Sequence, residues 1–224
     1  MLDDNFVRNI AIMAIPVLFA ITLHEAAHGY VARYFGDPTA EQAGRLTLNP
    51  LRHIDPIGTI LVPLVLFFMT KNLTGTPILF GWAKPVPVNF FQLRRPKQHM
   101  LWVALAGPAT NLLMMFGWAL MMKAGEYLPL GAYDIAWFRM ADIGMVVNAV
   151  MFVLNLLPLL PLDGGRVVAS LLPRGLDDKY ARMEPFGFPI LIVLILTSVL
   201  GTVLMLGVTP LLQFCAWLFH FNYL

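Results

Sequence analysis

The chain has 224 residues, 58% of them hydrophobic and only 12% charged, with a net charge of +2. Soluble domains are about half apolar and about a quarter charged, so this composition, with a mean hydropathy of +0.72, excludes a soluble domain, and the small net charge gives nucleic acid no footing. The single cysteine, Cys215, excludes an internal disulfide and any cysteine-built metal cluster.

The predicted elements run as follows. Phe6–Tyr34 is a long apolar helix behind the acidic start "MLDDNFVRN", which reads as a retained span because a cleavable signal wants a basic start. Gly36, Asp37 and Pro38 end it. Glu41–His53 is polar and interfacial. Ile54–Met69 is apolar but short, with Pro63 inside, and Thr70–Phe80 is turn-rich. Gly81–Phe91, "GWAKPVPVNFF", is neither helical nor long enough to span. His99–Met122 is a second span, Gly125–Ala141 a loop, and Asp142–Leu160 a third span. Arg166–Glu184 is polar. Phe186–Leu206 is a fourth span, and Pro210–Phe221 is a last apolar run too short to cross untilted. The expectation is an all-α polytopic membrane protein of about four to six transmembrane segments. Residues 1–224 form a single integral-membrane domain with its core at 6–172 and extra spans at 186–224.

Basic residues set the orientation. Arg33, Arg45 and Arg52 follow the first span, Lys84, Arg94, Arg95 and Lys97 precede the second, and Arg166, Arg174, Lys179 and Arg182 follow the third. All three clusters share the cytoplasmic side if Ile54–Phe80 dips into the membrane and returns.

"ITLHEAAHGY", Ile21–Tyr30, places two histidines and a glutamate in an apolar helix. His24 and His28 are four apart and share one helix face. Two imidazoles on adjacent turns can hold one Zn²⁺, and Glu25 then serves as general base toward an activated water. The plain alternative is a pair of satisfied histidines lining a polar cavity, but ionisable groups at membrane depth are functional by default.

A catalytic zinc needs a third protein ligand. Asp163 in "NLLPLLPLDGGR" is the foremost candidate. Pro158 and Pro161 break the helix, and Gly164 and Gly165 permit tight backbone geometry, so the third span should unwind where this carboxylate sits. A turn aspartate at the membrane face is the plain reading of "DGG" alone. His53, His99 and His220 are weaker candidates, each near an interface or loop. Ala104, Gly107 and Ala109 read as packing residues that let helices approach closely.

Together "HEAAH", "AGPATN" and "NLLPLLPLDGG" resemble the site-2 protease family of intramembrane zinc metalloproteases over about residues 10–170, and "GWAKPVPVN" is similar to its small bacterial branch. The resemblance implies one catalytic Zn²⁺ held by His24, His28 and Asp163, with Glu25 as base. It marks Asn155 as a catalytic residue for the substrate carbonyl or oxyanion, and Asn111 as a recurrent position of structural role. It implies regulated intramembrane proteolysis in the bacterial inner membrane, with the site near the cytoplasmic face. Against many members, the expectation is a protein without an inserted PDZ domain, a C-terminal CBS domain or a span before the histidine helix. Those differences bear on regulation rather than on chemistry.

His28 precedes Arg33 by five residues, which puts the metal roughly 8–12 Å below the interface at helical rise. The expected partners are the lipid bilayer and a transmembrane substrate drawn out in extended form. Gly81–Phe91 could pair with that substrate as an edge strand. Pro85 and Pro87 lose their N–H groups on one side, and Val86 and Val88 offer theirs on the other. The plain reading of the segment is a proline-stiffened loop. A zinc transporter or sensor is the alternative function. It should show further ligands along a path to both faces, and none stands on the outer halves of the spans. A catalytically dead scaffold is the third class, and the intact Glu25 speaks against it.

Overall fold

Every regular element among the described residues is helical. The computed structural model describes residues 4–221 except 63, 66, 67, 69–80 and 82. Besides short 3-10 and wide turns, the α-helices bounded there are α1 Asp4–Tyr34, α2 Thr39–Gln42, α3 Pro96–Gly125, α4 Asp134–Asn155, α5 Asp163–Leu171, α6 Leu176–Ala181, α7 Glu184–Leu196 and α8 Val199–Phe219. Four are long and apolar enough to cross a membrane: Ile12–Tyr34 of α1, and α3, α4 and α8. α7 is a shorter apolar helix of 13 residues. The chain is thus an all-α, multi-pass architecture, with four candidate spans among the described residues.

Helix packing in lipid gains little from apolar burial and depends on close contact between small residues. The buried stripe of α1 repeats every fourth residue: Ile12, Pro16, Ala20, His24, His28 and Ala32. The facing stripe of α3 holds Met100, Val103, Ala104, Gly107, Pro108, Asn111, Met115 and Ala119. α4 closes the three-helix contact with Ala141, Gly144, Met145, Asn148 and Ala149. Beyond the site, Met115, Ala119, Met145, Ala149, Val208, Leu212 and Cys215 form one apolar cluster that ties α8 to α3 and α4. Ala109 is exposed, so it is not one of the close-approach residues expected from the sequence, whereas Ala104 and Gly107 are.

Several boundaries differ from the sequence reading. The third span is Asp134–Asn155 rather than Asp142–Leu160. Most of the expected loop Gly125–Ala141 is helix, because Asp134 suits a helix start and Trp137 Nε1–H donates to Met121 O of α3 at 2.7 Å. At its other end α4 stops before Pro158. The polar stretch Arg166–Glu184 is largely helical, and within it Asp177 pairs with Lys97 Nζ at 2.6 Å. The expected fourth span Phe186–Leu206 is broken at Ser198, whose φ of 60° is left-handed. Just before the break, Thr197 Oγ1–H bonds Val193 O at 2.8 Å, a side-chain bond that competes with the helix ladder. What looked like a short final run, Pro210–Phe221, is the second half of α8. That helix continues through Pro210 because Val208, Leu212 and Cys215 are buried on one face.

Glu41–His53 is less interfacial than its polarity suggests, since Arg45 and His53 are both buried. The expected dip over Ile54–Phe80 falls largely outside the described residues. Of its beginning, Pro56–Leu61 forms a wide helical turn capped by Asp55, whose Oδ1 accepts from Ile57 and Gly58 N–H. Residues flanking the stretch meet, because Lys84 N–H donates to His53 O at 2.9 Å.

Candidate metal centre

α1 presents His24 and His28 one turn apart, and both are buried. Each ring has its Nδ1 committed. His28 Nδ1 lies 2.7 Å from Val103 O of α3. A backbone carbonyl only accepts, so this nitrogen carries the hydrogen. His24 Nδ1 lies 2.5 Å from Asn111 Oδ1 and donates to it. In a neutral imidazole with Nδ1–H, Nε2 is a bare acceptor. The two Nε2 atoms face each other at 3.1 Å.

Asp163 completes the group. The chain leaves α4 at Asn155 and re-enters helix at Asp163, so the carboxylate stands in the first turn of α5, where negative charge is favoured. Its Oδ2 lies 3.2 Å from His24 Nε2 and 3.3 Å from His28 Nε2. Gly164 and Gly165 are helical and serve close approach rather than unusual φ. A Cβ on Gly164 would lie 2.4 Å from Leu157 O, and one on Gly165 would lie 2.5 Å from Leu160 N. This packing folds α5 against the linker and aims Asp163 back at α1.

Three acceptor atoms therefore converge with no donor between them, and Asp163 Oδ2 is buried without a hydrogen-bond partner. Such a set is repulsive unless a cation fills it. Tetrahedral zinc with nitrogen and oxygen ligands near 2.0–2.1 Å separates neighbouring ligand atoms by about 3.3 Å, and the observed 3.1, 3.2 and 3.3 Å match that spacing. Gly107 keeps the space open, since a Cβ there would lie 2.4 Å from His28 Nε2 and 2.6 Å from His24 Nε2. The residues present fit a zinc ion.

Among the described residues, this is the only group of histidine, cysteine or acidic side chains that could hold a metal. The weaker histidines are engaged elsewhere. His53 Nε2–H donates to Thr47 O at 2.9 Å. His99 stacks on Phe35 at 4.1 Å and accepts from Arg95 N–H. His220 is the left-handed C-cap of α8.

Glu25, next to His24, is half-buried. Its Oε2 accepts the Val86 N–H at 2.8 Å, leaving Oε1 without a partner among the described residues. Val86 N–H, expected to be open to a substrate, is thus taken by the candidate base. The described part of Gly81–Phe91 is not a strand. It is a clamped extended segment that ends in the 3-10 turn Phe90–Gln92. Arg45 holds Lys84 O at 2.6 Å, and Asp37 Oδ2 accepts the Asn89 N–H at 2.6 Å. Asn155 ends α4, where its Nδ2–H bonds Met151 O at 3.0 Å. Among the described residues, no hydrogen bond joins it to the three ligand candidates.

Three residues were undervalued or missed by the sequence reading. Gly107 looked like a packing residue, yet it borders both imidazoles. Asn148 was not singled out, although an amide in mid-span is costly in lipid and flags itself on that ground alone. Asn111, given a structural role, is a direct partner of His24.

No family model matches the chain, and no solved structure matches it. Among curated proteins, the chain is 39% identical over 188 residues to YwhC of Bacillus subtilis, named as a candidate zinc metalloprotease, covering 83% of this chain and 80% of that protein. It is 30% identical over 184 residues to Rip2 of Mycolicibacterium smegmatis, similarly named, covering 82% of this chain and 66% of that protein. Rip3 of Mycobacterium tuberculosis matches at 30% over 168 residues, which span 32% of its length.

Proposed function

This chain belongs to the site-2 protease family of zinc metalloproteases, and from that premise we propose that it hydrolyses peptide bonds within or near the transmembrane segments of other membrane proteins. The observation that carries the reading is the convergence of His24 Nε2, His28 Nε2 and Asp163 Oδ2, with both Nδ1–H groups turned away. These residues would hold the metal. When bound, zinc supplies Lewis acidity that makes water a nucleophile near neutral pH.

Glu25 accepts the proton of the attacking water at Oε1 and passes it to the leaving amine nitrogen. The Val86 N–H fixes Oε2 and so aims the other oxygen. Asn155 is assigned the donor to the substrate carbonyl. Its support is its place at the end of α4, where the chain breaks toward Asp163. In this role Nδ2 turns from Met151 O to the substrate, and losing such a donor costs about 3–4 kcal/mol of transition-state stabilisation.

The centre sits toward the cytoplasmic face in this reading. The end of α1, the start of α3 and the region after α5 are tied together where the basic residues cluster. Arg94 bonds Phe35 O and Tyr34 O, and Lys97 bonds Leu172 O and Asp177. The pairing of His53 with Lys84 supports a stretch between them that returns to the side it left. A substrate helix must open to expose its carbonyls, and the clamped segment through Val86 runs beside the base.

The test is cleavage of a single-span protein by the purified chain in liposomes, with the products mapped by mass spectrometry. Chelator-sensitive cleavage inside or beside the span is expected. Stoichiometric zinc with no cleavage of any membrane substrate would favour a transporter or sensor instead.

A further inference from the structure

We propose that Asn148, in the middle of α4, is a positioning residue of the metal centre that acts through Asn111 to present His24 Nε2 as a ligand. The inference rests on the zinc reading and deepens it.

Two backbone carbonyls set the polarity of a buried chain of side chains. Gly144 O can only accept, and Asn148 Nδ2 lies 2.8 Å from it. The amide end of Asn148 is thereby fixed, and its Oδ1 faces Asn111, accepting Nδ2–H at 3.0 Å. Asn111 Nδ2 spends its second hydrogen on Ala20 O at 3.3 Å. With both donors committed, Asn111 can offer His24 Nδ1 only its oxygen, at 2.5 Å. That oxygen requires Nδ1–H on His24, which leaves Nε2 bare. Turning either amide over would set oxygen against oxygen. No solvent can rescue that arrangement, since Asn111 and Asn148 are 0% exposed and His24 is 4% exposed.

The two histidines differ in how they are held. His28 Nδ1 bonds a backbone carbonyl, which has no alternative orientation. His24 bonds a side-chain amide, which has one. Asn148 removes it, because the Ala20 bond alone is long. The relay runs α4 to α3 to α1, so the close packing of three helices is read out at a ligand atom.

Partners that orient a ligating histidine typically change metal affinity by about 10–100-fold when lost. The experiment measures zinc affinity of the purified full chain by chelator competition, together with the visible spectrum of the Co²⁺-substituted protein. Asn148→Leu, of similar size, is expected to weaken zinc at least ~10-fold and to shift the Co²⁺ bands. Asn148→Asp should stay near wild type, since a buried neutral carboxyl can donate to Gly144 O and accept from Asn111. Asn148→Ser is the second variant. Its hydroxyl bonds back to the helix, as Thr110 does to Ala106 O, and stops short of Asn111, so zinc should weaken again. In an Asn111→Leu background, Asn148→Leu should cost no further affinity.

A role confined to helix packing would lower the thermal stability of metal-free and metal-loaded protein alike and leave zinc affinity unmoved. Folded Asn148→Leu or Asn148→Ser with wild-type affinity and spectrum overturns the proposal, as does failure of every Asn148 variant to fold. A wild-type chain that binds no zinc would instead remove the metal reading beneath it.

Discussion

A methyl group on Gly107 would fall within 2.4 Å of His28 Nε2 and 2.6 Å of His24 Nε2. Helix backbone cannot easily yield by that much, so the imidazoles must move. Gly107→Ala is expected to cost about 1–3 kcal/mol in packing and to lower zinc affinity at least ~10-fold, as a displaced ligand shell should; competition with a chelator of known strength measures it. His24→Ala, His28→Ala and Asp163→Ala should each purify with far less than one zinc per chain by elemental analysis. A full equivalent of zinc in Asp163→Ala would remove Asp163 from the set. The ligand candidates were legible in the sequence because His24 and His28 carry their own spacing and Asp163 its own helix break. Gly107 and Asn148 were not, because their roles arise only when α3 and α4 reach α1. A glycine in an apolar helix reads equally well as plain packing.

At the scale of elements, the segment through Lys84–Asn89 shows where the sequence reading stopped. Its prolines spoke against helix, and its described part is extended without being a strand. What no local pattern could show is that Glu25, sixty-one residues earlier, takes the Val86 N–H. A hydrogen bond to a charged group contributes about 1.5–3 kcal/mol. Val86→Pro is therefore expected to depress turnover sharply while zinc content stays at the wild-type level. Val86→Ala keeps the N–H and should lose little more than apolar contact. Equal turnover in Val86→Pro and wild type would mean that this bond does not position the base. The break between α7 and α8 was hidden for a related reason. Phe186–Leu206 is continuously apolar, and only Thr197 and Ser198 mark the join, while Pro210 drew attention to a place where the helix continues.

Across the whole molecule, composition settled the class, because a chain this poor in charge has no surface fit for water. The contacts at one end of the bundle then group the basic residues that the sequence grouped only by count. Cysteines at the exposed positions Arg52, Arg95 and Arg174, placed one at a time with the buried Cys215 changed to serine, should all label with an impermeant thiol reagent from the cytoplasmic side only. A cysteine at exposed Tyr127 should label from the other side. Labelling of the Arg95 position from outside would show that the Ile54–Phe80 stretch crosses rather than returns. Most direct of all is a paired comparison of wild type with Glu25→Gln in liposomes carrying a single-span substrate, scoring zinc per chain and cleavage on the same samples. One zinc in both proteins, with chelator-sensitive cleavage by wild type and loss of at least ~100-fold in the variant, is the predicted result. Cleavage by Glu25→Gln at the wild-type rate, or by wild type stripped of zinc, would contradict it.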